Sequence, residues 1–387
     1  MTTCLAREMD ITYIWRALTG VMVGALVGAG LATVPPTLAQ EGKPPLTIAS
    51  FGGAFTRSQM IAYVQPYREL KNRWVSVEDY DGGLDEIRDQ VLSANVTWDL
   101  VSMELPHAIA GCDEGLLESI DHGILLPAPD GTPAAEDFFD VALQKCAVGF
   151  DIFATVVAYD RRRFDDPPAA LADFFDVDRF PGRRGLQARP LVNLEWALIA
   201  DGVAPSEVYD VMSTDDGLRR AFAVLDRIRD QVVWWRFGSE PPRLLATGQV
   251  SMSSAWNGRI FEEVEQRDTP LGIIWDHQVW NMNVWAMPKG APNHAEALDF
   301  IAFATAPERI AQQVSLVAYG PARRSAAALV KPDLLAELPT AEGRRAGAIR
   351  IDYAWWAANG PRIRVRFDAW LRGEGRLVYD FNPRDAE

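Results

Sequence analysis

Short strand patterns alternate with helix patterns along this chain, and this alternation limits the folds that the chain can adopt. The first block predicts strands over 46–50, 75–78 and 98–102 and helices over 55–70 and 84–94. Pro66 disturbs the first helix pattern, and Gly52-Gly53 follows the first strand. Because a helix between consecutive strands favours their parallel pairing, this block predicts a parallel sheet covered by helices.

A second block of the same kind follows. It predicts strands over 153–159, 250–254 and 284–288 and helices over 195–200 and 218–231. With 387 residues, 48% of them hydrophobic, the chain has enough apolar material for two large cores. The predicted fold class is α/β with two lobes, each a sheet flanked by helices. The ligand cleft is expected between the lobes, where strand ends and helix N-termini meet.

One long apolar run, 17–34, lies near the N-terminus and ends before Pro35. The small residues that follow, up to Ala39, are typical of a signal-peptidase site. Residues 1–39 are therefore predicted to be a signal peptide, and the mature chain to be periplasmic. A retained membrane anchor is the alternative, because Glu8 and Asp10 offset the positive charge that usually opens a signal.

The cysteines agree with export. Cys4 would leave with the predicted signal peptide, and Cys112 and Cys146 would remain. In an oxidising compartment these two are predicted to form a disulfide that closes a loop of about 35 residues. Two unpaired buried thiols are the alternative.

Charge and motifs exclude several classes of function. Acidic residues outnumber basic ones by 53 to 38, and the formal net charge of −15 makes nucleic acid an unexpected partner. The sequence has no G-x-S-x-G, H-E-x-x-H or P-loop motif and no G-x-G-x-x-G after a strand. The histidines lack metal-ligand spacing: His107, His122, His277 and His294. No catalytic residue, metal or cofactor is predicted.

Aromatic residues are abundant, with 13 tryptophans. Trp and Tyr offer flat faces that stack on alkyl chains and attract ammonium groups. Several aromatic residues lie in short blocks whose order along the chain is distinctive. The blocks are S-F-G-G-A-F from Ser50, W-D-L-V from Trp98, C-D-E-G-L-L from Cys112, F-P-G-R-R-G-L from Phe180, L-E-W-A-L-I-A-D-G-V from Leu194, A-W-N-G-R from Ala255, W-A-M-P-K-G-A from Trp285 and Y-G-P from Tyr319.

In this order the blocks resemble the polyamine-type periplasmic solute-binding proteins of ABC transporters, over nearly all of the predicted mature chain. The resemblance implies a type II-like binding-protein fold whose lobes close on a small-molecule ligand without chemistry. It also implies delivery of the ligand to a permease and its ATPase. A monomer is expected, which captures a small amine such as putrescine or spermidine.

The resemblance suggests domain boundaries as well. The N-terminal lobe would comprise 40–150 and, after a hinge return, 282–318. The C-terminal lobe would comprise 151–281, with a helical segment, 319–387, packed on it. Hinge strands are expected near 149–154 and 281–285.

Ligand contacts carry over residue by residue. Phe51, Trp256 and Tyr319 match aromatic positions of the polyamine-binding relatives, where aromatic rings enclose the methylene chain. Glu104 and Glu195 match positions where carboxylates hold ammonium ends, as ammonium desolvation requires. The structural alternatives are a helix cap for Glu195, core packing for Phe51 and Trp256, a hinge role for Tyr319 and a surface loop for Glu104.

The chain also departs from these relatives. Asn283, which is itself a predicted ligand contact, stands where close polyamine binders carry an acidic residue, and so do Val192 and Gly53. Each unpaired ammonium would be costly to bury. A zwitterionic, 4-aminobutyrate-like amine is therefore an alternative ligand. Its carboxylate would bind Arg259 and the backbone N–H groups of Gly52-Gly53, and its ammonium Glu104 or Glu195.

A secreted enzyme is the more distant alternative. Paired carboxylates, either Asp79 with Asp81 or Asp99 with Glu104, could perform acid–base chemistry in a hydrolase. Both pairs are read more simply as turn and strand-end residues, so the prediction is a binding protein and not an enzyme.

Overall fold

The computed structural model describes residues 44–139 and 141–373; the predicted signal peptide, 1–39, lies outside them. The strands are β1 (Leu46–Ser50), β2 (Val75–Asp79), β3 (Leu100–Glu104), β4 (Leu143–Gln144), β5 (Ala147–Asp160), β6 (Arg184–Gln187), β7 (Val232–Trp235), β8 (Met252–Trp256), β9 (Leu271–Ala286), β10 (Gly320–Pro321) and β11 (Ile349–Arg350).

The helices alternate with these strands along the chain. They are α1 (Gly53–Gln59), α2 (Gln65–Lys71), α3 (Asp85–Leu92), α4 (Leu105–Asp113), α5 (Ala134–Asp137), α6 (Leu171–Phe175), α7 (Asn193–Ala200), α8 (Val208–Met212), α9 (Asp215–Ile228), α10 (Glu240–Ala246), α11 (Asn257–Arg267), α12 (His294–Ala304), α13 (Pro307–Val317), α14 (Arg324–Ala327), α15 (Pro332–Glu337), α16 (Glu342–Arg345) and α17 (Tyr353–Leu371). Within the described ranges, none of these helices is both long and apolar enough to cross a bilayer.

The strands pair in the order β2-β1-β3-β9-β5-β8-β6-β7. β1 runs parallel to β2 and β3 at one end of this order, and β6 runs parallel to β7 and β8 at the other. The antiparallel pair β5 and β9 joins the two parallel groups. The two-lobed α/β fold predicted from the sequence is confirmed, with each parallel group forming the sheet of one lobe.

Two hydrophobic cores lie beside this sheet. The first includes Ile48 of β1 and Val101 of β3, and the second includes Leu186 of β6 and Phe222 of α9. β5 and β9 contribute residues to both cores, since both strands extend across the two parallel groups. Their pairing is interrupted by register shifts between Gly149 and Asp151 and between Thr155 and Val157.

The region predicted as one helix, 55–70, comprises three consecutive helical segments. α1 leads into a π-helical turn, Met60–Val64, and then into α2. Pro66 occupies the first turn of α2, where its missing N–H is tolerated. A π-helical turn before the proline lets the backbone absorb the disturbance without ending the helix.

The described part of the predicted C-terminal segment, 319–373, divides between the two cores instead of packing on one lobe: Tyr319 and Leu338 lie in the first core, and the C-terminal helix α17 packs in the second. The rings of Phe367 and Trp370 lie 6.2 and 5.5 Å from that of Phe222 in α9. Asp352 caps the helix by accepting a hydrogen bond of 2.9 Å from the backbone N–H of Trp355.

Cys112 and Cys146 form a disulfide, as predicted, with their Cα atoms 5.7 Å apart. The bond links the end of α4 to the start of β5, across a sequence separation of 34. A loop of this length restricts the unfolded chain by about 4 kcal/mol on the loop-entropy estimate. The disulfide therefore stabilises the lobe that contains β1 and β3.

Candidate ligand-binding site

The site lies where strands of both lobes end. Glu104 is the last residue of β3 and Trp256 the last residue of β8. Glu104 is opposite Asn283 of β9, and Trp256 is opposite Thr155 of β5. Because β5 and β9 pair with each other, the ends of β3 and β8 face the same region of the sheet. In α/β proteins the carboxyl ends of parallel strands are where ligands bind.

Five of the residues predicted as ligand contacts meet in one inner pocket. Its lining is Phe51, Phe55, Glu104, Phe153, Trp256, Asn283 and Tyr319. The pocket is narrow and mostly aromatic, with one carboxylate and one amide among its walls. The lining suits a short alkyl chain with a charged end, but the pocket encloses about 10 Å³, room for about one water molecule, so a ligand would enter only when its walls move apart.

Trp256 lies at the centre of the aromatic wall. Its ring is edge-on to Phe51, Phe153 and Trp235, with centroids 6.2, 5.8 and 5.9 Å away. The side chain is buried, and its indole Nε1 has no hydrogen-bond partner among the described residues.

The two residues after Trp256 connect the elements around the inner pocket. Asn257 accepts a 2.9 Å hydrogen bond from the backbone N–H of Ala154 and donates a 2.8 Å bond to the carbonyl of Ala318. A Cβ on Gly258 would lie 2.5 Å from the ring of Tyr319, so only glycine lets that ring approach. Asn257 and Gly258 thus hold β5, α11 and Tyr319 together.

Glu104 supplies a negative charge to the inner pocket. It is 2% exposed, lies 2.8 Å from Arg189 and accepts a 2.9 Å hydrogen bond from Asn281 Nδ2. Burial by itself would raise the pKa of Glu104, but the charge of Arg189 and the bond from Asn281 help to lower it below the ordinary value. Glu104 is therefore ionised at neutral pH.

Arg189 lies on the opposite lobe from Glu104. It follows β6 by two residues, whereas Glu104 ends β3, so their ion pair joins the two lobes across the cleft. Arg189 Nε is buried and has no hydrogen-bond partner among the described residues. The sequence reasoning missed this residue; the one signal was a basic residue shortly after a short strand.

Arg259 lines a larger outer cleft of about 460 Å³, next to the inner pocket. The cleft is lined by Phe51, Gly52, Gly53, Asp79, Tyr80, Asp81, Glu86, Phe237, Ser239 and Arg259. Arg259 Nη2 donates a 3.0 Å hydrogen bond to the carbonyl of Gly52 on the other lobe. The side chain is buried, and its Nε has no hydrogen-bond partner within the described ranges.

The structure does not bring Glu195 to this site, contrary to expectation. Glu195 is fully buried in α7, beside the second core, and lines neither the inner pocket nor the outer cleft. Its carboxylate accepts hydrogen bonds from the backbone N–H of Val192 at 2.7 Å, from Trp356 Nε1 at 2.7 Å and from the Tyr209 hydroxyl at 3.1 Å. The carboxylate holds the start of α7, which is the helix-cap alternative.

The Gly52-Gly53 turn also differs from expectation. The backbone N–H of Gly52 donates a 2.8 Å hydrogen bond to Thr56 Oγ1, so it is not available to a ligand anion. Both glycines have positive φ, 72° and 59°, which makes the turn before α1 tight. The carbonyl oxygen of Gly52, and not its N–H, faces Arg259.

Of the two carboxylate pairs considered for an enzyme, Asp99 and Glu104 lie far apart, whereas Asp79 and Asp81 both line the outer cleft. Asp99 directly precedes β3 and Glu104 ends it, so the two residues are roughly 16 Å apart along the extended chain. Asp99 accepts hydrogen bonds from the backbone N–H groups of Thr47 and Asn293 at 2.8 and 2.7 Å. Asp79 accepts a 3.1 Å bond from Thr56 Oγ1 at the edge of the outer cleft.

Two lobes that share a pair of long strands, with charged and aromatic residues from both lobes around one pocket, define a ligand-binding protein of the two-lobed α/β class. The chain belongs to the family of bacterial extracellular solute-binding proteins, whose model matches residues 62–342. Members of the family bind small-molecule ligands and work with an ABC permease and ATPase.

Individual relatives extend over most of the chain. The gamma-aminobutyric acid-binding protein of Pseudomonas aeruginosa is 37% identical over 332 residues, which cover 86% of this chain and 92% of that protein. The solved AgtB from A. tumefaciens R10, in complex with agropinic acid, is 29% identical with a TM-score of 0.77, and the match covers 85% of this chain and 99% of that one. The solved Atu4243 GABA receptor is 26% identical with a TM-score of 0.74, over 85% and 98% of the two chains.

These comparisons refine the resemblance to polyamine binders. Solved spermidine/putrescine transporter proteins of Streptococcus pneumoniae and Listeria monocytogenes are 15% and 16% identical, with TM-scores of 0.63 and 0.65, so they share the fold alone. The relatives are substrate-binding proteins and not enzymes, as predicted for this chain.

Proposed function

We propose that this chain is the periplasmic substrate-binding component of an ABC importer for a small amine that also bears a carboxylate, such as 4-aminobutyrate. Residues 1–39 would direct export. The mature protein would then capture its ligand between the lobes and deliver it to the permease. The proposal follows the zwitterion alternative, not the polyamine one.

Buried donors without acceptors are the observation that carries this proposal. Arg189 Nε, Arg259 Nε and Trp256 Nε1 have no hydrogen-bond partner among the described residues, and all three residues lie at the site or beside it. A buried donor without a partner costs about 1–3 kcal/mol. A polyamine brings further donors, whereas a carboxylate brings acceptors.

The charges of the site support the same ligand class. Glu104 offers one ionised carboxylate to one ammonium, and Arg189 offers its guanidinium to one carboxylate. A zwitterionic ligand would replace the Glu104–Arg189 ion pair with two new pairs, so no buried charge is left without a partner. The ring of Trp256 would lie against the methylene groups between the two ends.

Polyamine binding has less support. Asn283 lines the inner pocket as a neutral amide, Val192 packs in the second core, and Gly53 is the first residue of α1 and lines the outer cleft without a side chain. None of these positions supplies the negative charge that a second ammonium would need. The names of the Pseudomonas relative and of the Atu4243 receptor agree with the amino-acid alternative.

Lobe closure would occur about β5 and β9, because these two strands connect the lobes. The proposed lobe boundaries stay as predicted, with 40–150 and 282–318 in one lobe and 151–281 in the other. The register shifts beside Asp151 and Thr155 give the pair of strands places to bend.

A charge-deletion series tests the proposal. Residues 40–387 would be titrated by calorimetry with 4-aminobutyrate, with butyrate and butylamine, which each lack one charged end, and with putrescine. We expect 4-aminobutyrate to bind at least about 100-fold more tightly than the other three, since each lost charge leaves its partner buried alone. Tighter binding of putrescine than of 4-aminobutyrate would show that the site prefers a dication and would refute the proposal.

A further inference from the structure

A row of three polar residues crosses the sheet beside the inner pocket. Glu104 of β3 is in register with Asn283 of β9, and Asn283 is in register with Asp151 of β5. Residues in register on neighbouring strands have adjacent side chains. The exposed fractions are 2% for Glu104, 3% for Asn283 and 0% for Asp151, so an amide lies between two buried carboxyl groups.

The orientation of the central amide is set by one of these neighbours. Asn283 Nδ2 donates a 2.7 Å hydrogen bond to Asp151 Oδ1. Asn283 Oδ1 accepts no hydrogen bond from the described residues, and Asn283 lines the inner pocket with Glu104. With its NH₂ group bonded to Asp151 of β5, the amide keeps its oxygen as an acceptor for the pocket that it lines together with Glu104.

Asp151 itself does not line the pocket. It is fully buried, and its Oδ2 has no hydrogen-bond partner among the described residues. Burial raises the pKa of the Asp151 carboxyl well above its ordinary value. Oδ1 can accept the bond from Asn283 whether the carboxyl is ionised or protonated, so the orientation of the amide is the same in both states.

We infer that Asp151 is a positioning residue for ligand selection: it holds the Asn283 amide so that Oδ1, together with the Glu104 carboxylate, accepts hydrogen bonds from the ammonium group of the ligand. The inference rests on the proposed function and adds a residue to it. Asn283 contributes an acceptor without a charge, so the pocket holds one ionised carboxylate and matches one ammonium.

The alternative orientation explains why Asp151 is needed. An asparagine side chain rotated by a half-turn would present its NH₂ group to the ammonium, and two donors facing each other repel. Asp151 prevents this rotation because Oδ1 accepts from the NH₂ group. An asparagine at 151 could donate or accept there and would leave both orientations of Asn283 available.

A double-mutant cycle tests the inference. Asp151→Asn, Asn283→Ala and the double variant would each be titrated with 4-aminobutyrate by calorimetry. We expect Asn283→Ala to bind about 10-fold more weakly, as for loss of a hydrogen bond to a charged group, and Asp151→Asn at least about 2-fold more weakly, because about half of the Asn283 amides would then have the wrong orientation. The double variant should bind no more weakly than Asn283→Ala alone, because Asp151 acts through Asn283.

Thermal unfolding separates this role from a structural one. Asp151→Asn keeps the size of the side chain and removes a buried carboxyl, so its Tm should match that of the unaltered protein. Asp216→Asn, at an 85% exposed position, serves as the control that should change neither Tm nor affinity.

The remaining outcomes overturn the inference. Independent effects in the double variant, or unchanged binding by Asp151→Asn, would show that Asp151 does not act through Asn283. If the unaltered protein binds putrescine but not 4-aminobutyrate, the proposed function fails. If it binds 4-aminobutyrate and the cycle is additive, only the role of Asp151 fails.

Discussion

Replacing Glu104 with glutamine should weaken the binding of 4-aminobutyrate by about 100-fold or more. The carboxylate is 2% exposed and lies 2.8 Å from Arg189. Its removal leaves the ligand ammonium without an ionic partner in the inner pocket.

Calorimetry on Glu104→Gln, with Asp216→Asn as the control for an exposed carboxylate, would measure this loss. Thermal unfolding would show whether the variant is folded at the temperature of the titration. A folded Glu104→Gln variant that binds 4-aminobutyrate within about 3-fold of the unaltered protein would contradict the assignment of Glu104 to the ammonium.

Replacing Arg323 with alanine should lower the free energy of unfolding by about 3–5 kcal/mol. Arg323 is fully buried, and its Nε donates a 2.6 Å hydrogen bond to Asp137. Its Nη1 and Nη2 donate 2.9 Å bonds to the carbonyls of Thr305 and Leu126. The alanine variant leaves the Asp137 carboxylate buried without its cation and two carbonyls without donors.

Chemical denaturation would measure this effect, with Arg364→Ala as the matched control. Arg364 is 58% exposed and lies 3.3 Å from Asp368, a surface pair expected to contribute about 0–1 kcal/mol. Equal losses for the two variants would mean that burial of the Arg323–Asp137 pair does not matter to stability.

The strands were predictable where their apolar pattern is continuous. β1 has the predicted bounds. β3 begins two residues later than predicted: the backbone N–H of Asp99 still donates to Thr47, but the Asp99 carboxylate, and not a backbone carbonyl, accepts the N–H of Thr47. β9 is much longer than the predicted 284–288, since polar residues near His277 interrupt its pattern and only the pairing with β5 shows that it continues.

The candidate site was predictable in part for a similar reason. Phe51, Trp256 and Tyr319 follow strands or short motifs that mark them locally, and the structure places all three at the inner pocket. Arg189 and Asp151 matter through partners that are distant in sequence, Glu104 and Asn283. Such pairs depend on which strands are neighbours, which one sequence does not reveal.

Glu195 shows the opposite case. A carboxylate at a helix start suits either an ammonium or the free N–H groups of the helix, and both interpretations fit the sequence. Three donors around its carboxylate, including Trp356 from α17, decide for the structural role. The contact with α17 joins residues 161 positions apart, so no local pattern could have indicated it.

A crystal structure of residues 40–387 with 4-aminobutyrate would test the central claim most directly. We expect the ligand ammonium to lie within hydrogen-bond distance of Glu104 and Asn283 Oδ1, with the methylene groups of the ligand against Trp256. The ligand carboxylate should be held by Arg189 or Arg259. A ligand bound in the reverse orientation, or away from both the inner pocket and the outer cleft, would contradict this assignment.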